Sequence, residues 1–204
     1  MHPDVINSSQ QRLVELIPSF SNSFYLAGGT AIALQTGYRC SIDFDLFSAK
    51  ELDTDKIINT IIGQSYVIEH ILHRSSDELT IAVQTVRLSF VHYPFLIQTP
   101  VWFRGIIAMP DLLTLGAMKA YALGRRAKWK DYVDLYFLLL QHVSFTQLVS
   151  QAKNIFAGAF NERLFREQLC YFEDIDYTEQ VDFMLQSPPS DKEIRSFLTN
   201  IATS

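Results

Sequence analysis

The sequence predicts an α+β protein. A mixed β-sheet flanked by helices occupies residues 1–108, and a helical region occupies 109–204. Three observations predict this. The run "SIDFDLF" alternates apolar and polar residues with period two, as a strand covered on one face does. Three further β-rich runs follow it: "SYVIEHIL", "LTIAVQ" and "VRLSFVHY". From Pro110 onward the apolar spacing turns helical and stays helical to the end.

The elements follow in order. The residues after Pro3 are expected to be helical, with Val5, Leu13, Leu16 and Ile17 apolar, ending near Pro18. "FYLA" is a short apolar strand. "GTAIALQTG" is a brief helix opened by glycine and closed by Gly37, a residue favoured just past a helix end. In "SIDFDLF", Ile42, Phe44 and Leu46 share one face, and Asp43, Asp45 and Phe47 share the other. "LDTDKIINTIIG" restores helical spacing, with Asp53 or Thr54 as its N-cap. The last two β-rich runs are close enough for a hairpin, and "PVWFRGIIAM" is a further strand. "PDLLTLGAMKAYALG" opens with proline at a helix entry and Asp111 in the first turn. "KDYVDLYFLLL", "FTQLVSQAKNIF", "NERLFREQLCYF" and "DKEIRSFLTNIA" are amphipathic helices. No flexible linker separates the two halves, so the helical region is expected to pack on the α/β core.

Composition narrows the function classes. With 204 residues, 48% apolar and 13% aromatic, the chain can bury a sizeable core as one large domain or two small ones. A net charge of −5 gives no global attraction to nucleic acid or to an anionic membrane, so any such binding must use a local patch. Cys40 and Cys170 are far apart without metal-ligand spacing, and read as reduced thiols. The N-terminus lacks the pattern of a signal peptide. No apolar run approaches a membrane span; "YVDLYFLLL" is short and carries Asp134. The expected location is the cytoplasm, with no membrane partner.

Two features carry chemistry. Asp43 and Asp45 lie two apart on a strand, so both carboxylates leave one face with Cα atoms roughly 6.5 Å apart. Such a pair can hold hard divalent cations, although alone it also fits a solvated strand face. Metals so held stabilise the attacking and leaving oxygens of a phosphoryl displacement. Ahead of them, Gly28 and Gly29 let the backbone approach an anion, Thr30 adds a hydroxyl, and the following helix aims its positive end at the same place. A conformational turn would explain the glycines alone, but not their spacing to the acidic pair.

The run "LAGGTAIALQTGYRCSIDFDLF" resembles the nucleotidyltransferase superfamily with a polymerase β-like fold, and more specifically the AbiEii/AbiGii toxin family. That family's pattern falls on Gly28, Gly29, Thr30, Arg39, Ser41, Asp43, Asp45 and Phe47. Downstream, the family's helical lysine and "KD-x-x-DL" block fall on Lys119 and "GRRAKWKDYVDLYFLL". The resemblance covers roughly residues 24–140. It implies a nucleotidyltransferase using a nucleoside triphosphate with Mg²⁺ (or Mn²⁺), a tRNA acceptor and a cognate antitoxin. Asp43 and Asp45 would hold the metal, and Gly28, Gly29, Thr30, Arg39 and Ser41 the nucleotide.

The second block also reads on its own. Lys119, Arg125, Arg126, Lys128 and Lys130 form a basic cluster on an acidic chain, suited to triphosphate or an RNA backbone. Lys119 is the candidate to neutralise phosphate charge, with a snorkelling lysine as the plain alternative. Asp131 and Asp134 share a helix face; Asp131 is the candidate base or extra metal ligand. Ser89 stands where the superfamily's third strand carboxylate is expected. That gap keeps two alternatives in view: a non-catalytic nucleotide-binding module on the same fold, and transfer to a small molecule. His92 and Tyr93 are read as structural.

Overall fold

The chain enters through a broken helix rather than the continuous one its spacing predicts. The computed structural model describes residues 1–204. A 3-10 turn at Pro3–Val5 precedes α1 (Ser8–Leu13), and a second covers Ile17–Phe20. Asn7 restarts the helix with a capping box: its side chain accepts from the Gln10 amide at 2.9 Å, and the Gln10 side chain accepts from the Asn7 amide at 3.0 Å. Pro18 sits at the start of the second turn, where its missing N–H leaves no bond unmade.

β1 (Tyr25–Ala27) runs directly into α2 (Gly28–Thr36), and Gly37 ends that helix in the left-handed conformation at φ 75°. β2 (Asp43–Ser48) buries Phe44 and Leu46 on one face and half-buries Asp43, Asp45 and Phe47 on the other. Ile42, expected with Phe44, is instead 55% exposed and outside the strand. The ladder begins only at Asp43, because the preceding Ser41 amide is bonded to the Val5 carbonyl at 2.9 Å. α3 (Thr54–Gly63) is capped by Asp53, which accepts from the Lys56 amide at 2.9 Å.

β3 (Ile68–Arg74), β4 (Glu78–Val83) and β5 (Val86–His92) complete a five-stranded sheet in the order β1-β2-β5-β4-β3. Only the β2–β5 pair is parallel; the others are antiparallel. One face is apolar, with Phe44, Leu46, Leu79, Ile81, Val83, Leu88 and Phe90 fully or nearly fully buried. The Phe90 ring meets Phe20 at 4.8 Å and Phe24 at 5.3 Å, both edge-on. The other face carries Asp43 and Asp45 on β2, Arg87 and Ser89 on β5, and Thr80 and Glu78 on β4. "PVWFRGIIAM" is a hairpin rather than one strand: β6 (Val101–Phe103) and β7 (Ile107–Met109) reverse at Arg104 and Gly105, at φ 51° and 69°.

Residues Met1–Pro110 form one compact unit and Asp111–Ser204 a second. The second is helical: α4 (Leu112–Leu123), α5 (Trp129–Gln141), α6 (Phe145–Phe156), α7 (Glu162–Cys170) and α8 (Asp191–Thr203). Asp111 is the N-cap of α4 rather than a first-turn residue, accepting from the Thr114 amide at 2.8 Å. Gly116 lets α4 approach Leu148 of α6, where even a methyl group would stand 3.1 Å from that side chain. The Tyr132 hydroxyl, on a fully buried ring, donates at the end of α7, 3.1 Å from the Gln168 carbonyl and 3.3 Å from that of Tyr171.

The β4–β5 hairpin turns through Gln84 and Thr85, at φ 49° and 68°. Two left-handed residues suit the hairpin's twist but cost an L-residue roughly 1–2 kcal/mol each, and a β-branched threonine is a poor choice. Thr85→Gly is expected to raise stability by about 1 kcal/mol. It should appear as a higher urea midpoint at unchanged slope.

Candidate active site

Asp43 and Asp45 leave the polar face of β2, and the parallel ladder sets Arg87 beside Asp43 and Ser89 beside Asp45. Arg87 donates through Nη2 to Asp43 Oδ2, with the Asp43 side chain 17% exposed. Where the neighbouring β1 passes into α2, Gly28 holds φ 65°, and a Cβ there would fall on the Asp45 carboxylate. A Cβ on Gly29 would strike the Arg39 guanidinium. The two glycines are therefore needed for close approach as well as for the turn: they bring backbone against Asp45 and Arg39.

Thr30 locks this arrangement from beneath. Its hydroxyl donates to the Asp43 carbonyl, and Ser41 Oγ lies 2.6 Å from it. A carbonyl can only accept, so the single Thr30 proton goes to Asp43 and the Ser41 hydroxyl donates to Thr30. Gln10 adds a second donor to the same carbonyl at 3.3 Å. Thr30, Ser41 and Arg39 are all buried; Arg39 also donates to the Cys40 carbonyl at 2.9 Å and to the Tyr38 hydroxyl at 3.3 Å. The Thr30 proton is committed to fastening α2 to β2.

In the second unit, α4 is apolar on nearly every side, and a lysine inside such a helix must find charge partners. Lys119 finds two. Its ammonium, 7% exposed, bonds to Asp131 and lies 2.7 Å from Asp134 Oδ2; those carboxylates stand one turn apart on α5. Arg126 closes over Asp131 through Nε at 2.9 Å and Nη2 at 3.3 Å, a two-pronged bond. Burial pushes the Asp131 carboxyl up, but Lys119 and Arg126 outweigh it and hold the group below the usual carboxylate range. Lys128 and Lys130 both reach Glu179, at 2.7 and 3.4 Å, while Arg125 stacks on the Tyr121 ring at 3.5 Å. The basic cluster read from the sequence is thus interleaved with carboxylates, and its positive field is much reduced.

The family described as Nucleotidyl transferase AbiEii toxin, Type IV TA system, matches residues 12–203. The chain belongs to this family. An uncharacterized protein of Aquifex aeolicus is 34% identical over 144 residues, covering 67% of this chain and 68% of the relative. Among solved structures, the Mycobacterium tuberculosis nucleotidyltransferase toxin MenT4 superposes with a TM-score of 0.64 at 11% identity, over 95% of this chain and 81% of that one. A Helicobacter pylori putative nucleotidyltransferase gives a TM-score of 0.57 at 15% identity, over 96% and 92%. At these identities the superpositions establish a shared fold, and this nucleotidyltransferase fold is the architecture the sequence predicts.

Within each unit the AbiEii-family residues gather as the sequence groups them: Gly28, Gly29, Thr30, Arg39, Ser41, Asp43 and Asp45 in the first, Lys119, Arg126, Asp131 and Asp134 in the second. Arg87 escapes a sequence reading. Its signal is period-two placement on β5, visible only once the pairing register is known. No group of three or more His, Cys, Asp or Glu side chains is placed to hold a metal ion. The hard oxygen donors at hand are the Asp43 and Asp45 carboxylates, which fit a magnesium-type ion that keeps water and phosphate oxygens as its other ligands. No helix is long and apolar enough to cross a membrane.

Asp131→Asn leaves Lys119 buried with half its counter-charge, and a loss of about 3–5 kcal/mol in unfolding free energy is expected. Because the native Asp131 pKa lies below its unfolded value, its stabilisation is present above that unfolded value and disappears as pH falls through the native one. Denaturant unfolding at pH 7 and at stepped acid pH should therefore show the difference between wild type and D131N shrinking on the acid side.

Proposed function

We propose that this nucleotidyltransferase-family chain moves a nucleotidyl group from a nucleoside triphosphate to an RNA acceptor, tRNA in the first instance, and that Asp43 and Asp45 hold Mg²⁺ (or Mn²⁺) for the reaction. The observation that carries the reading is the abutment of the Gly28 turn on the Asp45 carboxylate. Phosphate-binding backbone and metal-binding oxygen then serve the same nucleotide. The cation, when bound, supplies charge neutralisation for the triphosphate and the departing pyrophosphate.

Gly28 and Gly29 offer backbone to the phosphates. Thr30, Arg39 and Ser41 set the height and angle of that turn from below, and Arg87 steadies Asp43. In the second unit Lys119 and Asp131 form a charge-balanced anchor that Arg126 joins, and Arg126 and Lys128 remain the candidate phosphate-binding cations of that unit. Asp131, held ionised by two cations, is better suited to anchoring than to accepting a proton. The type IV toxin–antitoxin family implies a cognate antitoxin as partner.

A second reading replaces RNA by a small-molecule acceptor, and the pairing of Lys119, Arg126, Lys128 and Lys130 with carboxylates favours it. Salt separates the two. Transfer to RNA through phosphate contacts falls steeply between 50 and 200 mM salt, roughly as the number of contacts, and transfer to a small neutral acceptor does not.

The test is incubation of the full chain with each labelled triphosphate, Mg²⁺ and total RNA. Label is expected in RNA with the wild type. Asp43→Asn and Asp45→Asn should each lower it about 10³-fold or more with the thermal transition retained. Equal labelling by the double variant would sink the assignment.

A further inference from the structure

Between α7 and α8 the chain runs as an irregular strap over the start of α5. Residues 171–190 carry Glu173, Asp174, Asp176, Glu179 and Asp182 and no lysine or arginine, as much negative charge as the whole chain holds net. The strap is pinned at its middle. The Trp129 amide donates to the Asp176 carbonyl at 3.0 Å, and the Asp176 amide donates to the Ala127 carbonyl at 2.7 Å, on either side of Lys128. Ile175 is buried, the Tyr177 and Trp129 ring centroids lie 5.3 Å apart, and Arg195 of α8 donates to the Tyr177 hydroxyl at 2.6 Å. Two residues past this anchor, Glu179 spans both lysines, with Oε1 2.7 Å from Lys128 and Oε2 3.4 Å from Lys130.

The carboxylates around the basic cluster differ in how easily another anion can replace them. Asp131 is 3% exposed, and removing it would leave a buried lysine short of counter-charge. Glu179 and Lys128 are 29% and 34% exposed, and an ion pair in contact with water contributes little and exchanges readily. Because one carboxylate meets both ammoniums with separate oxygens, the two lysines converge on a group the size of a phosphate. They sit at the N-cap and second residue of α5, where the positive end of the helix adds to their field. Tyr177, next to them through Trp129, is 40% exposed and offers a ring on which a base can stack.

We propose that Lys128 and Lys130 form an RNA-backbone site that Glu179 occupies in the free protein, so that RNA binds by displacing it. The proposal rests on the RNA-acceptor reading above. Glu179 is a tethered substitute for phosphate. Its local concentration is set by the anchor at Asp176, not by the solution, so a competing anion must bring more than one contact to win. Successive phosphates and a stacked base on one strand do so, and a lone phosphate does not. The strap thus keeps small anions off the lysines and yields to a polymer.

Fluorescence anisotropy of labelled tRNA with the full chain, at about 100 mM salt, reads the displacement. The isosteric, uncharged Glu179→Gln should bind tRNA about three- to tenfold more tightly than the wild type, with the melting temperature unchanged. In the transfer assay it should lower KM for RNA by about the same factor at unchanged kcat. Asp182→Asn removes the same charge from the same strap, at a residue that pairs with neither lysine, and should change the affinity less than about twofold. Adding Lys128→Met to Glu179→Gln should abolish the gain. Equal gains from Asp182→Asn and Glu179→Gln overturn the proposal, since net charge alone then explains them. A lower KM for the triphosphate with tRNA affinity unchanged also overturns it, because the lysines then serve the nucleotide. Unchanged tRNA affinity in a protein that still labels RNA overturns the displacement and leaves the transfer reading standing. Failure of wild type and variant alike to bind or label RNA overturns both.

Discussion

The parallel pairing of β2 with β5 is the constraint from which the first unit follows. It sets Asp43 against Arg87 and Asp45 against Ser89, and it sends Phe44, Leu46, Leu88 and Phe90 together into the core. A slip of β2 by one residue would turn both aspartates into that core and expose Phe44 and Leu46, and burying unpaired carboxylates is costly enough to forbid it. The hydrophobic alternation that folds the sheet therefore also fixes which atoms meet at the candidate site. The antiparallel β4–β5 hairpin extends the same logic one strand further and brings Thr80 and Glu78 into line with Ser89.

The second unit solves a different problem. Its first helix is too apolar to leave a lysine unpaired, and the fold answers with two carboxylates from one face of α5 and a capping arginine. A pair or triad of this kind seldom adds stability over apolar residues of the same volume, but it strongly penalises any packing that separates its members. The register of α5 against α4 is specified by charge at Lys119 and by close approach at Gly116, where Leu138 and Leu148 pack. Electrostatics here selects one helix arrangement among several that hydrophobic burial alone would tolerate.

Most of the architecture was legible in the sequence because it rests on short-range signals. The alternation around Asp43 and Asp45, the glycine after α2, the Asp53 cap and the apolar periodicity of the later helices are all local. The differences arise from local caps and turns as well as from distant residues. The N-terminal helix is interrupted by a cap at Asn7, and Ile42 falls outside its strand because Ser41 is held by Val5. "PVWFRGIIAM" folds back at two left-handed residues that carry only one glycine between them. At the site, Asp43, Asp45 and the glycines were visible through their spacing. The partners of the basic residues were not, because Lys128 and Lys130 meet Glu179 about fifty positions away.

The bond from Thr30 to the Asp43 carbonyl has a thermodynamic consequence. With Gln10 and Ser41 joined to the same knot, the glycine turn, the start of α2 and the acidic strand become one mechanical piece. The conformational entropy of those residues is lost when the chain folds, not when a ligand arrives. On the proposed reading, a phosphate at this turn would find backbone amides and carboxylates already in register, with none of its binding energy diverted into ordering them. Preorganisation of this kind arises from the Thr30 and Ser41 hydroxyls and the Gln10 amide, which bond to one another's strand and helix.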